Sequence, residues 1–425
     1  MCRSETRLVL WLALIAATIS LSKIAFADCQ LTSTGMTPVN DLGGRNYKGV
    51  SGGLYPNGAN NPPAAHLNAG IDIAMHRIKP LNGTGAVDLA GGRIVFISVG
   101  MSNTTMEFST LVRLANSDPA KNPQVVIVDG AQGGQDASRW TDPTAPTWST
   151  LNSRLKAAGV TPAQVQVAWV KQALAHPNSL GVFPSHAQVL QYDLEQIARN
   201  LKTNYPNIKL AYLSSRTRAY TNDPATLNPE PFAYESAFAV RWTIADQLSS
   251  VGNLNFAPSK GAVVAPWLGW ASYLWADGTN RRSDQFVWLC SDVQSDFTHP
   301  STSGRNKVAH ELLAFFKTHA TATPWFLRST VTGQPPSCTA NASATSGVAP
   351  LIVNFSARAS DTDGTIAQYV WTFDDGDFSF AQNPVKSFPA PGVYNVRLTV
   401  SDDSGNTVTK SIPITVTNTQ AAGTP

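Results

Sequence analysis

The chain has 425 residues, of which 43% are apolar, more than one ordinary core holds, and this predicts two globular domains. Only 14% of residues are charged and the formal net charge is +3, with no basic stripe of the kind that follows a phosphate backbone. Nucleic acid is therefore not expected as a partner.

Residues 1–27 read as an export signal. Arg3 and Arg7 precede an apolar run from Leu8 to Leu21, and Ala25-Phe26-Ala27 supplies the small-x-small cleavage pattern. Cleavage there removes three cations (Arg3, Arg7, Lys23) and one anion (Glu5), taking the net charge from +3 to +1. No other segment approaches ~20 uninterrupted apolar residues, so no membrane span is expected after cleavage. Asp28 before Cys29 fits poorly with lipid attachment, and the product is expected to be secreted, either extracellular or periplasmic. Cys2 leaves with the signal, and Cys29, Cys290 and Cys338 then predict one disulfide and one leftover thiol, with three pairings open.

The segment through GGLYPNGANNPP is rich in Gly, Pro and Asn and shows no clear period, which predicts an extended loop region packed on the domain that follows. From about Gly91 to Phe316, apolar runs alternate with helical patterns. GRIVFISVG, QVVIVDG, VQVAWV, IKLAYLSS and GAVVAPWLGW are continuous enough for strands buried on both faces. Leu190, Leu194, Ile197 and Leu201 keep helical spacing, as do Val308, Leu312 and Phe315. Strands separated by helices predict a doubly wound, mostly parallel α/β sheet, whose ligands bind beyond the carboxyl ends of its strands.

Reactive residue types gather at those ends. Ser102 follows the first run, Asp129 to Gly134 the second, and Lys171 and Gln172 the third. Arg216 and Arg218 follow the fourth, where they suit an acidic or polar substrate group or an ordinary loop. In PWLGWASYLWADG, Trp267, Trp270, Tyr273 and Trp275 offer rings on which sugars stack, against burial as the alternative for at least half of them.

A serine hydroxyl attacks a carbonyl only when a base takes its proton and a third group orients that base. SDFTHPSTSGRNKVAHELLAFF supplies such a pair, Asp296 and His299, just before the last helical pattern. These residues carry a resemblance to the SGNH/GDSL hydrolases, esterases and lipases with a flavodoxin-like sheet. Gly100-Met101-Ser102-Asn103 stands where that family has Gly-Asp-Ser, with Met101 replacing aspartate, and Asp296-Phe297-Thr298-His299 matches its Asp-x-x-His. The resemblance implies Ser102 as nucleophile, His299 as general base and acid, and Asp296 as the orienting carboxylate. It also implies an oxyanion hole built from the Ser102 amide, a glycine after the second strand and a third donor after the third strand. Strand register selects Gly134 for the glycine, with Gly133 a close second. The family's third donor is asparagine, and here Gln172 and Lys171 take its place. Asn103, Arg216 and Trp270 complete the candidate substrate contacts.

No pair among His66, His76, His176, His186, His310 and His319 has the spacing of a helical metal site, so no metal and no cofactor is expected. The expected activity is hydrolysis of a small acyl group, acetyl above all, on an extracellular carbohydrate or another ester. The rival expectations are a catalytically silent glycan-binding protein of the same fold and an adhesion protein dominated by its tail.

Around residues 321–337, taken as a linker between a hydrolase-like domain (28–320) and a sandwich (338–418), the period changes to two. Tyr394, Val396, Leu398 and Val400 share one face, and after the turn DDSGN a second strand carries Ile412, Ile414 and Val416. SDTDGTIAQYVWTFDDGD and PGVYNVRLTVSDDSGN make this tail resemble the polycystic-kidney-disease (PKD) domain, an immunoglobulin-like sandwich, with Asp374 where that family usually has glycine. The acidic turn of Asp374, Asp375 and Asp377 is expected to be solvated. Residues 419–425 form a short tail.

Overall fold

The computed structural model describes residues 29, 31–328, 333–375, 378–402 and 406–418. The proposed signal, Asp377 and the final tail lie outside them. A short hairpin, β1 (Asn46–Tyr47) and β2 (Val50–Ser51), precedes α1 (Ala64–Asp72). The sheet elements follow as β3 (Ile94–Gly100), α2 (Ser102–Ser117), β4 (Val125–Val128), α3 (Pro146–Ala157), β5 (Val165–Lys171), α4 (Ser185–Asn204), β6 (Leu210–Ser214), α5 (Phe232–Leu248) and β7 (Trp267–Trp270). α6 (Thr302–Thr318) and α7 (Thr323–Phe326) close this body.

The five strands pair in parallel in the order β4-β3-β5-β6-β7. Each continuous apolar run is explained by cover on both faces. Val95, Ile97 and Val99 pack against Leu151 of α3, Leu194 of α4 and Phe238 of α5, while Ile94 and Phe96 pack against Phe108 of α2 and Leu312 and Phe316 of α6. Burial of each such side chain contributes ~1.5 to 3 kcal/mol before entropy is counted. Chain order reverses at β3, so the crevice between its carboxyl end and that of β5 is where a parallel sheet leaves room for a ligand. Register places Gly100 opposite Lys171 and Lys171 opposite Ser214, which puts Ser102, Gln172 and Arg216 beyond one edge.

Three expectations are corrected. The glycine-rich region before β3 is not only loop, because it contains α1, a short helix whose buried positions are His66, Gly70 and Asp72 rather than an apolar stripe. Gly70 of that helix lies so close to the Trp267 ring that a Cβ there would come within 2.8 Å. Only the last four residues of GAVVAPWLGW form a strand. The stretch placed in a linker from residue 321 belongs in part to the body: Trp325 and Phe326 are fully buried, and the Asn122 amide donates to the Phe326 carbonyl at 2.8 Å.

Cys29 and Cys290 form the disulfide, leaving Cys338 as a buried thiol. Among the described residues, no helix is long and apolar enough to cross a membrane.

The tail comprises β8 (Ser337–Ala342), β9 (Ser346–Val348), β10 (Leu351–Ser360), β11 (Ile366–Thr372), β12 (Phe378–Ser379), β13 (Val385–Phe388), β14 (Gly392–Asp402) and β15 (Thr407–Thr417). Two sheets, ordered β13-β10-β8 and β12-β11-β14-β15-β9, enclose Phe355, Trp371, Val396, Leu398, Val400, Ile414 and Val416. These are the inward residues of the period-two pattern. Asp374 has φ 63°, the left-handed region that glycine enters freely and aspartate tolerates, and its carboxylate accepts the Asn395 amide at 2.9 Å. Asp375 pairs with Lys386 at 2.7 Å.

Candidate active site

β3 ends at Gly100, where a Cβ would lie 2.3 Å from the Thr104 hydroxyl, so only glycine lets the strand turn directly into α2. Met101 is buried, and Ser102 begins the helix with its side chain half-buried. The helix N-terminus lends partial positive charge to any anion forming there.

His299 arrives from the far end of the body. Asp296 Oδ1 accepts the amides of Thr298 at 3.1 Å and His299 at 2.9 Å, folding the Asp-Phe-Thr-His segment into a compact turn with Phe297 at φ 60°. Asn103, next to Ser102, donates from Nδ2 to the Thr298 carbonyl at 3.0 Å, tying that turn to α2. Ser301 then caps α6 by accepting the Gly304 amide.

The result is a continuous chain of contacts. Ser102 Oγ lies 2.6 Å from His299 Nε2, and His299 Nδ1 lies 2.5 Å from Asp296 Oδ2. Partial burial opposes charge on Asp296, but hydrogen bonds from the His299 ring, the His299 amide and the Thr298 amide outweigh it and hold the carboxyl at about 2. Ionised Asp296 fixes the proton on Nδ1, which leaves Nε2 as acceptor for the Ser102 hydroxyl. A cavity of about 410 Å³, lined by Ala225, Thr226, Leu227 and Phe297, opens against His299 and Asp296.

The turn after β4 is pinned beside Ser102. Ser98 Oγ donates to Asp129 Oδ1 at 2.7 Å and accepts the Gly130 amide at 3.0 Å, Arg154 donates to the carbonyls of Asp129 and Ala131, and the Gln132 amide donates to the Gly100 carbonyl at 2.9 Å. Within this turn Gly133 approaches Ser102, since a Cβ on it would lie 4.0 Å from the Ser102 Cβ. Gly134 has φ 73° and open space around it, so its glycine is required by backbone conformation, and Gly133 is the glycine that faces Ser102.

Several expected contacts are overturned by burial. Lys171 is 1% exposed and gives its ammonium to both oxygens of Glu107 at 2.6 Å, so its charge is engaged in the interior. Burial pulls that ammonium down to about 8 against the attraction of Glu107. Gln172 is also buried, and its Nε2 reaches the Gln135 carbonyl at 3.4 Å. Asn103 is fully buried and holds the histidine turn, so it is not a substrate contact.

Arg216 is buried among Glu107, Glu230 and Asp296, out of a substrate's reach, and Arg218 pairs with Asp277 at 3.3 Å. Trp270 is 4% exposed and donates to the Leu54 carbonyl at 2.7 Å, and Trp267, Tyr273 and Trp275 are buried as well. No ring of this series is available to stack on a sugar. His66 stacks on Trp267 and His186 bonds Glu235 at 2.7 Å, both structural arrangements. Among the described residues no three His, Cys, Asp or Glu side chains are placed so that they could hold a metal ion together.

The Asn103 tether and the Glu107 partner of Lys171 were missed by sequence reasoning. A lysine closing a strand buried on both faces was the available signal for the second, because such a cation requires a carboxylate partner.

Residues 334–416 match the family model described as the PKD domain. The pre-pro-metalloprotease PrtV of Vibrio cholerae serotype O1 is 41% identical over 58 residues, which are 14% of this chain and 6% of that protein. Collagenase ColQ1 of Bacillus cereus is 40% identical over 58 residues, again 14% of this chain and 6% of that protein. The chain thus spans a small fraction of the length of these curated relatives. Among solved structures, the PKD1 domain of the Vibrio cholerae metalloprotease PrtV is 32% identical with a TM-score of 0.18, covering 20% of this chain and 98% of that one. Residues 334–416 are accordingly a PKD domain.

Proposed function

We propose that the α/β body is an exported serine esterase of the SGNH/GDSL type, with Ser102, His299 and Asp296 as its triad. The observation that carries this reading is the 2.6 Å contact of Ser102 Oγ with an imidazole whose other nitrogen is held by a carboxylate. Ser102 attacks the ester carbonyl as its proton passes to His299 Nε2, and His299 returns that proton to the leaving alcohol. Water then attacks the acyl-enzyme with His299 again as base, releasing the acid and restoring Ser102. The amides of Ser102 and Gly133 are the donors assigned to the oxyanion, each worth ~3 to 4 kcal/mol of barrier in comparable sites. Export is supported by the signal-like leader, the Cys29–Cys290 disulfide and the PKD domain.

The proposed substrate is a small acyl ester, acetyl above all, on an extracellular carbohydrate. The buried tryptophans lend this no support, and the polar side chains of Thr105, Ser109, Thr302 and Asn306 on α2 and α6 support it instead. Turnover of p-nitrophenyl acetate by wild type and Ser102→Ala is the test: a loss of ~10³-fold or more is expected, together with labelling of Ser102 by a fluorophosphonate. Equal rates for the two proteins and no labelling would overturn the assignment in favour of a silent binding protein.

A further inference from the structure

Beside the triad, α2 and α6 leave an open groove of about 600 Å³. From α2 it is lined by Thr105, Ser109 and Arg113, and from α6 by Thr302, Arg305 and Asn306. Ser102, Thr105, Ser109 and Arg113 are spaced by three, four and four residues, one stripe of a helix that extends ~16 Å from the nucleophile. The groove therefore runs away from the reacting centre along the direction a polymer would take.

Its chemistry is two-sided. The hydroxyls of Thr105 and Ser109 both donate inward to Asp129 Oδ2, leaving their outward lone pairs as acceptors. The arginines that make ion pairs are Arg77, Arg199, Arg218 and Arg282; Arg113 and Arg305 have no carboxylate within 4.0 Å among the described residues. Arg305 donates from Nη2 to the Thr302 hydroxyl at 3.1 Å, an exposed contact that leaves the end of the guanidinium toward the groove, while its Nε is buried without a partner among the described residues. Guanidiniums call for carboxylate or phosphate oxygens, whereas outward-facing hydroxyl acceptors call for donors. The internal phosphates of a polyphosphate supply acceptors only. A sugar acid supplies both a carboxylate and hydroxyl donors.

We propose that this groove binds a uronate-bearing polysaccharide, two of whose carboxylates are held by Arg113 and Arg305, while an ester on the same chain reaches Ser102. The site deepens the esterase reading and rests on it only for the ester, so the two are tested apart. Ser102→Ala full-length protein, which binds without turnover, is titrated calorimetrically with oligogalacturonate, with a neutral mannan oligosaccharide and with polyphosphate. Oligogalacturonate is expected to bind at least tenfold more tightly than the neutral glycan and to weaken as salt rises. Adding Arg113→Gln and Arg305→Gln is expected to remove at least tenfold of that affinity, with thermal unfolding checking that the fold is kept and Arg→Lys replacements restoring part of it.

Equal binding of uronate and neutral glycan overturns the proposal, as does equal or tighter binding of polyphosphate. Unchanged affinity in the folded double variant also overturns it. Turnover of p-nitrophenyl acetate by wild type stands apart from all of these: activity without uronate binding sinks the groove alone, and uronate binding without activity sinks the esterase alone.

Discussion

At the carboxyl end of β3 the chain turns into α2 and leaves Ser102 half-buried against His299, whereas at the end of β6 it runs on through Arg216 and Arg218 with both guanidiniums buried. The end of β5 resembles the second case, with Lys171 locked to Glu107. All three ends lie on one edge of one sheet, and a reading by strand ends alone assigns chemistry to each. The difference is one of solvent access. A polar group at the first end is completed by a partner brought from a distant turn, while at the others Lys171 and Arg218 are completed by the interior carboxylates of Glu107 and Asp277, and Arg216 lies buried with no hydrogen-bond partner for its guanidinium among the described residues.

Variants at the two kinds of end should therefore fail in different ways, one in rate and the other in stability. The largest effect is expected at the β3 end: His299→Ala should reduce kcat/KM toward p-nitrophenyl acetate by ~10³-fold or more, and adding Ser102→Ala should cost little further, because the pair acts as a unit. Additive losses would break the comparison. At the β5 end, Glu107→Gln leaves the Lys171 cation buried without its partner and should destabilise the fold by ~3 to 5 kcal/mol in urea unfolding. The molecules that remain folded should keep a kcat within a few-fold of wild type.

Asn103→Ala probes the seam between the two. It leaves the Thr298 carbonyl without its donor, so ~1 to 3 kcal/mol of stability should go together with kcat, while KM for a small ester stays put. Trp270→Phe should remove the bond to the Leu54 carbonyl, a loss of ~1 kcal/mol, and leave glycan affinity by calorimetry unaltered. A fall in glycan affinity would restore the stacking role that its burial denies.

The smallest effect is a slope. Burial raises the Glu230 carboxyl from 4.5 to about 7, against hydrogen bonds from Trp275 and the amides of Tyr234 and Ala219. Between those values the native protein holds a proton that the unfolded chain has released, so stability should fall as pH rises through the window, and Glu230→Gln should flatten that segment of a stability profile.

Much of the body was legible because its signal is periodic. The continuous runs at β3 and β5 announce strands buried on both faces, and the period-two faces of β14 and β15 announce the sandwich. Ser102, His299 and Asp296 were also legible, since two of them sit three residues apart and the third follows the leading strand. What was hidden was depth. Sequence orders residues along a chain but does not say which side of a crossing loop they fall on, so Arg216 and Trp270 looked accessible. Local composition misled as well: α1 lacks an apolar stripe because it packs through Gly70 and His66, and the glycine facing Ser102 is Gly133, one residue from the aligned position.

The bridge between Cys29 and Cys290 spans 261 residues of chain. A covalent loop of that length narrows the unfolded ensemble by ~5 kcal/mol in the chain-entropy picture. It also fastens the segment at Cys29 to the strap that carries Asp296 and His299. The proposed chemistry would then hang on one thiol event: protein prepared under reducing conditions should keep an intact sheet and a slack histidine strap, gaining esterase activity only as the two sulfurs are joined.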